Sequence, residues 1–268
     1  MPLAVCATPI GNLEDVTLRV LAELAAADVV LCEDTRHTRV LLERHGIAAR
    51  LLSYHEHNEA KRTAELLPRL EAGERIALVS DAGLPAVSDP GARLVRAALD
   101  AGVDVMVLPG ASAVETALVA SGLVADQYRF LGFLPRGEKK LAAVWDGLSA
   151  WPWPAVAFES PQRLPATLRS LAAADPERQV AVCRELTKRF EQVVGGTADQ
   201  LARRFDAPPK GEITLVLGPA AGRDDGAEER AFAAVAELVA AGVPRKRAAE
   251  IVSRLVSISP NRLYKASL

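Results

Sequence analysis

The chain has 268 residues, half of them hydrophobic and a quarter charged, and its 32 basic and 34 acidic residues give a formal net charge of −2. This mixture excludes a disordered chain, and the length suits one large domain or two of about 110 residues with an appendage. No uncharged apolar run approaches the roughly 20 residues of a membrane-spanning helix. Met1–Ile10 lacks the basic start of a secretory signal and reads as a first strand. Cys6, Cys32 and Cys183 stand far apart inside apolar runs, with no CxxC. That excludes a disulfide framework or zinc cluster and predicts buried thiols in a reducing cytoplasm.

Short apolar runs alternate with helical patterns along the chain. Strands are predicted at Leu3–Ala7, Val29–Cys32, Ile76–Ser80 and Val103–Leu108, then at Arg129–Phe133, Ala155–Phe158, Val180–Cys183 and Ile213–Leu217. Amphipathic stretches at Leu18–Ala27, Arg62–Ala72 and Ala92–Ala101 predict helices, and Ala113–Ala120 closes the first set of strands. The expected class is α/β, with mostly parallel sheets covered by helices. A break near Ser121–Asp126 divides residues 1–120 from 121–220. Pro219–Gly226 reads as a linker. An appendage over 226–268 follows, with helices at Glu228–Ala241 and Arg245–Val256 and a short one after Pro260.

The appendage changes sign along its length. Gly222–Ala240 carries five acids against two arginines, and Val243–Leu268 six basic residues against Glu250 alone. The basic half suits an RNA phosphate backbone, with a solvated helix without a partner as the alternative.

Ligands of open α/β sheets bind outside the carboxyl ends of strands. The segments after the strands therefore carry the candidates: Thr8–Asn12, Glu33–Thr38, Ser53–Asn58, Ser80–Gly91 and Pro109–Ala113. The twelve-residue, Gly/Pro-rich polar segment Ser80–Gly91 after one strand exceeds what a structural loop needs. Asp81 suits the hydroxyls of a ribose or, alternatively, a cap or turn. Pro109–Ala113 presents backbone amides at a helix start. There is no GxGxxG, GxxxxGK[ST] or Gly-x-Ser-x-Gly. His55-Glu56-His57 has two ligand types, but no third cluster accompanies it, so no metal is expected.

Taken in order, Thr8-Pro-Ile-Gly-Asn12, Glu33-Asp-Thr-Arg36, Tyr54-His-Glu-His-Asn58, Ser80-Asp-Ala-Gly-Leu-Pro85 with Ser88-Asp-Pro-Gly91, Pro109-Gly110 and Gly132-Phe-Leu-Pro135 resemble the tetrapyrrole methylase superfamily. So do Phe158-Glu-Ser-Pro161, Arg184-Glu-Leu-Thr-Lys188 and Lys210-Gly211-Glu212. Within it they look most like the RNA-modifying branch, which methylates a cytidine ribose 2'-oxygen in 16S rRNA of the small ribosomal subunit. The resemblance implies two α/β domains, a cleft holding S-adenosylmethionine, a homodimer and a helix-turn-helix-like basic tail. It implies donor contacts at Pro9 and Gly11, at Ser80, Asp81, Ala82, Gly83, Pro85 and Ser88, and at Pro109, Gly110, Ser112 and Ala113. The second domain would add Leu134, Phe158, Glu159 and Gly211. RNA contacts fall to Arg36, His55 and Asn58 and, in the tail, to Arg245, Lys246, Arg247 and Arg262. The catalytic group stays open among candidates that include Arg36, His55, His57 and Glu185, and an Asp34–Arg36 ion pair is the structural alternative for Arg36. A tetrapyrrole carbon methyltransferase and a non-catalytic RNA-binding protein are the competing readings.

Overall fold

The computed structural model describes residues 2–220, 225–256 and 258–266. The first 120 residues form a five-stranded sheet: β1 (Leu3–Cys6), β2 (Val29–Cys32), β3 (Leu51–Ser53), β4 (Ile76–Val79) and β5 (Val105–Leu108). All its pairings are parallel, in the order β3-β2-β4-β1-β5. Both faces are covered, so the central strands are continuous apolar runs. Leu3, Val5, Leu31 and Leu78 face α3 (Glu59–Glu71) and α4 (Ala92–Asp100). Ala4, Cys6, Val30 and Val79 face α1 (Leu18–Ala26) and α2 (Thr35–Arg44).

The predicted segment 33–38 is the entry to α2. Asp34 caps that helix by accepting a hydrogen bond from the Arg36 amide at 2.8 Å, and Thr38, Leu41 and Leu42 are its buried face.

The second sheet comprises β6 (Arg129–Phe133), β7 (Ala155–Glu159), β8 (Gln179–Arg184), β9 (Gln192–Thr197) and β10 (Ile213–Leu217), ordered β6-β7-β10-β8-β9. Here the expectation of a mostly parallel sheet gives way: only β6 and β7 run parallel, and the other three pairings are antiparallel. Strand β10 enters between β7 and β8 from the opposite direction, a choice made by long-range pairing that no strand's own residues encode. Sequence also passed over the two edge strands β3 and β9. The first has three residues, and the second carries Gly195 and Gly196, which weaken a strand pattern. Three helices, α6 (Glu138–Leu148), α7 (Leu164–Ala174) and α8 (Ala198–Arg204), cover one face of this sheet.

The other face is covered from the first half of the chain. Val114, Ala117 and Leu118 of α5 (Ala113–Ala120), with Ile10, pack on Val156, Ala181, Cys183 and Val216. A second junction lies beside it. A Cβ on Gly11 would stand 2.5 Å from Lys188 Cγ and 2.9 Å from the Leu186 carbonyl oxygen. The Asn12 amide donates to Thr187 Oγ1 at 3.0 Å.

Helices α9 (Asp225–Ala240), α10 (Arg245–Ser253) and α11 (Pro260–Ala266) form a unit with its own core of Ala231, Val235, Ala248, Ala249, Val252 and Leu263. Of the predicted linker Pro219–Gly226, residues 221–224 lie outside the described residues, and Asp225 and Gly226 already belong to α9.

All three cysteines are free and buried, and burial pushes the thiols of Cys6 and Cys183 up to about 12. Among the described residues no helix is long and apolar enough to cross a membrane.

The α5 interface yields a stability test. Leu118→Ala removes a buried side chain from the junction and should cost about 2–5 kcal/mol. Val40→Ala, on the exposed face of α2, should stay within about 0.5 kcal/mol of the parent. Chemical denaturation of both variants measures the difference.

A cleft between the two sheets

The loops after β1 and β4 are tied together where their strands end. Thr8 and Gly83 exchange backbone hydrogen bonds at 2.8 and 3.1 Å, and Thr8 Oγ1 donates to the Ser80 carbonyl at 3.0 Å. Ser80 Oγ donates to the Gly83 carbonyl at 3.0 Å. The chain then runs through Ala86 at φ 69° and Ser88 at φ 65°, both left-handed for residues with side chains. On the far side, Gly110 lets the β5–α5 turn close on β1, since a Cβ there would stand 2.9 Å from Ala7 Cβ.

Between these loops and the second sheet lies a cavity of about 660 Å³. Its aromatic wall comes from the second sheet: Phe158 meets Phe130 and Phe133 edge-on, with ring centres 5.1 and 5.4 Å apart. Strand β6 breaks register between Phe130 and Phe133 and passes through Gly132 at φ 65°, opposite Ser88 Oγ. Such irregularities re-aim side chains toward a site. Volume and lining suit a small organic ligand with one large apolar face and a few polar groups.

Four carboxylates stand on the cavity wall: Asp89, Glu115, Glu159 and Glu212. Three are engaged. Glu115 accepts from Ser112 Oγ and from Tyr128 OH at 2.5 Å. Glu159 accepts from the Ser160 amide at 2.7 Å, Thr167 Oγ1 at 2.5 Å and Arg163 at 3.2 Å. Glu212 pairs with Lys188 Nζ at 2.9 Å. Asp89 is half-buried and makes no hydrogen bond or ion pair among the described residues. Burial, then the charges of Glu33 and Asp81, push its carboxyl up to about 6.

A second depression of about 540 Å³ lies at the ends of β2, β3 and β4. Glu33, Asp34, Arg36, His55, His57 and Asp81 are on its wall. The Arg36 guanidinium grips Asp34 through two hydrogen bonds, of 3.1 and 2.7 Å, and holds that carboxyl well below the usual carboxylate range. The side chain of Arg36 is nevertheless 87% exposed, so donors of the fork face solvent.

Asn58 fixes His55. Its Oδ1 accepts from the His55 amide at 2.9 Å, so its Nδ2 is the group that faces His55 Nε2 at 3.1 Å. In the neutral ring the proton is then on Nδ1, and that atom is buried with no hydrogen-bond partner.

Of the residues the resemblance assigned to the donor, Ala82, Gly83, Ser88, Pro109, Gly110, Ser112, Ala113, Phe158, Glu159 and Gly211 line the cavity. Six others do not. Ser80 shapes the loop from beneath, Pro9 and Pro85 are buried, and Leu134 is in the core over the second sheet. Gly11 is the junction with Lys188, and Asp81 faces the second depression, where it accepts from the Asp34 amide at 3.3 Å.

Glu185 is outside both depressions. At φ 53° it accepts from Lys188 Nζ at 2.9 Å and from the Glu212 amide at 3.0 Å, which hold its carboxyl below the usual range. In the tail, Arg245, Lys246 and Arg247 are exposed on the first turn of α10. Arg262 instead pairs with Asp126 at 2.6 Å and ties the tail to the body. Sequence missed Phe130 and the Tyr128–Glu115 pair, and within the motif Gly132–Pro135 it gave the donor contact to Leu134 where Phe133 lines the cavity, because nothing in an apolar strand says which face meets a cleft. Asp89 did carry a signal, its place in the long loop after β4. Among the described residues no three His, Cys, Asp or Glu side chains are grouped to hold a metal.

Residues 2–202 match the family model described as Tetrapyrrole (Corrin/Porphyrin) Methylases. The chain is 44% identical to the "Ribosomal RNA small subunit methyltransferase I" of Mesorhizobium japonicum, over 99% of this chain and 91% of that one. It is 39% identical to the protein of the same name from Escherichia coli O157:H7, over 99% and 94%. Its fold is similar to a crystal structure of uroporphyrin-III C-methyltransferase from Thermus thermophilus complexed with S-adenosylhomocysteine. That match has a TM-score of 0.59 and 20% identity, over 81% of this chain and 96% of that one. The chain therefore belongs to the tetrapyrrole (corrin/porphyrin) methylase family and, within it, to the group of ribosomal RNA small subunit methyltransferase I proteins.

Proposed function

We propose that this protein transfers a methyl group from S-adenosylmethionine to the 2'-oxygen of a cytidine ribose in 16S rRNA of the small ribosomal subunit, acting in the cytoplasm as a homodimer. The observation that carries the reading is the pairing of two depressions on one loop. Residues 82–89 of the β4 loop line the cavity, and Asp81 of the same loop lines the depression that carries Arg36, His55 and His57. A donor and an RNA acceptor need such adjacent places. The names of relatives about 40% identical over nearly the whole chain support the rRNA substrate.

The cavity suits the donor. Phe130, Phe133 and Phe158 would hold its base, and Ser88, Ser112 and the turn at Gly110 its polar edges. The donor supplies a methyl on a sulfonium, a leaving group that needs no activation. The protein's task is to bind both partners, align them and take up a proton. In the second depression, with His55 on its wall, the free donors of Arg36 would donate to phosphate or ribose oxygens. The exposed Arg245, Lys246 and Arg247 would add charge attraction for the RNA backbone.

Domain one would span residues 1–120, domain two 121–220, and the tail 226–268. Support for the homodimer comes from the unpaired outer edge of β5, where Val107 is 53% exposed. Tetrapyrrole methylation would not need the basic face of the tail.

The test is transfer of labelled methyl from S-adenosylmethionine to undermethylated small subunits or to a precorrin, with the RNA product mapped at nucleotide level. Label on a cytidine 2'-oxygen supports the reading, and label on the precorrin alone overturns it. Arg36→Ala should lower subunit methylation by on the order of tenfold or more, ~1.4 kcal/mol of transition-state stabilisation. Its donor affinity by calorimetry should match the parent, whereas equal loss of both would mark the Asp34–Arg36 pair as structural. Replacing Arg245, Lys246 and Arg247 together by Ala should weaken subunit binding. The slope of log K against log salt should flatten by about 2 to 3, as read by filter binding across a salt series.

A further inference from the structure

We propose that Asp89 is the catalytic base that takes the proton from the acceptor hydroxyl. This rests on the reading of the acceptor as a ribose 2'-hydroxyl. Geometry and elimination carry it. A base must stand on the wall of the donor cavity, near the acceptor, with an oxygen free to take a proton. Of the four carboxylates on that wall, Glu115, Glu159 and Glu212 are spent on hydrogen bonds and ion pairs, and Asp89 alone is unpartnered among the described residues. Asp81 of its own loop lines the second depression, as does Glu33, and the charges of both act on Asp89. Asp89 therefore stands where the cavity and the acceptor depression meet.

The loop is built to hold it there. Ala86 and Ser88 are left-handed, and the Ala86 amide closes the turn on the Pro90 carbonyl at 3.3 Å. Gly91 follows at φ 136°, with no room for a side chain, since a Cβ would stand 2.8 Å from Leu78 Cδ2. His55 and Arg36 are placed less well for the task. The Nε2 of His55 is committed to Asn58, and a guanidinium does not accept protons.

The step balances. The hydroxyl proton passes to a carboxylate oxygen of Asp89, an oxygen lone pair forms the O–CH3 bond, and the C–S bond breaks with its electron pair remaining on sulfur. The protonated Asp89 then loses its proton to water.

The surroundings also set the working pH. Glu33 faces Asp89 from the β2–α2 turn and Asp81 from its own loop, and Glu33 is itself faced by His55, Glu56, Asp34 and Asp81. Across the cavity Glu115, Glu159 and Glu212 stand with their partners. Burial and these like charges push the Asp89 carboxyl up to about 6, so it is ionised and ready as a base at neutral pH.

The experiment is a pH series of kcat/KM for subunit methylation, which reports groups of the unliganded enzyme. The series is run on the parent, Asp89→Asn and Glu33→Gln, alongside donor calorimetry and thermal melts. The parent should show an ascending limb near pH 6. Asp89→Asn should lose that limb and fall about 100- to 10,000-fold. It should still bind the donor and melt no lower than the parent at pH 8. The sign of the melt follows from linkage: a carboxyl raised in the folded state is less stable there when ionised, and Asn removes that charge. Glu33→Gln removes one of the like charges acting on Asp89 and should move the limb to lower pH. A parent that methylates ribose with no limb near pH 6, or an Asp89→Asn variant that keeps the parental rate and profile, overturns the base assignment alone. A parent that leaves ribose unmethylated overturns the functional reading, and the base assignment with it.

Discussion

The burial of α5 and Ile10 against the second sheet is the contact on which the rest of the molecule depends. Val114, Ala117 and Leu118 belong by chain order to the first set of strands, yet their apolar face covers Val156, Ala181, Cys183 and Val216. Without that cover one face of the second sheet would be open to water. With it, the carboxyl ends of the first sheet are brought against the aromatic face of β6 and β7, and the cavity is the space left between them. The helix also begins at that cavity, so the element that joins the two halves shapes the site as well.

Backbone strain concentrates on both sides of this junction. Ala86 and Ser88 on one side and Glu185 and Thr187 on the other are left-handed without being glycine, at a cost of order 1–3 kcal/mol each. Each is held by its surroundings. Thr187 Oγ1 accepts from the Asn12 amide of the opposite half, and the Glu185 carboxylate is fastened by Lys188 and the Glu212 amide. The segment 184–188 thus straps the two halves together. Gly11 and Gly211 make room for it, since side chains there would collide with Lys188 and Glu185.

The polar groups around the cleft divide in the same way. Glu159, Arg163 and Thr167 form a closed network that fixes the end of β6, Arg163 also donating to the Leu134 carbonyl at 2.7 Å. Asp89 and Arg36 keep unspent hydrogen-bonding capacity toward the two depressions. A group whose bonds are all made inside the protein positions; a group with capacity left over faces a ligand.

By itself the sequence determined the apolar strands that build the two sheets, the loops at their carboxyl ends, the buried thiols and the change of sign along the tail. These are local facts: an apolar run, a turn residue or a charged face follows from neighbours within about a dozen positions. The order of the motifs added the family, because a series of weak patterns in one sequence is specific where each alone is not. Only the tertiary structure decided that β10 runs antiparallel between β7 and β8, that α5 serves the second sheet and that Phe130, Phe133 and Phe158 make one wall. It also decided that Gly11 and Gly110 are demanded by the protein's own packing, at Lys188 and Ala7, and that Arg262 pairs with Asp126. The physical reason is the same in each case. Periodicity says that a face is buried or a charge exposed, whereas the partner it meets is chosen by chain segments tens of residues away, through the excluded volume and pairing of the whole fold.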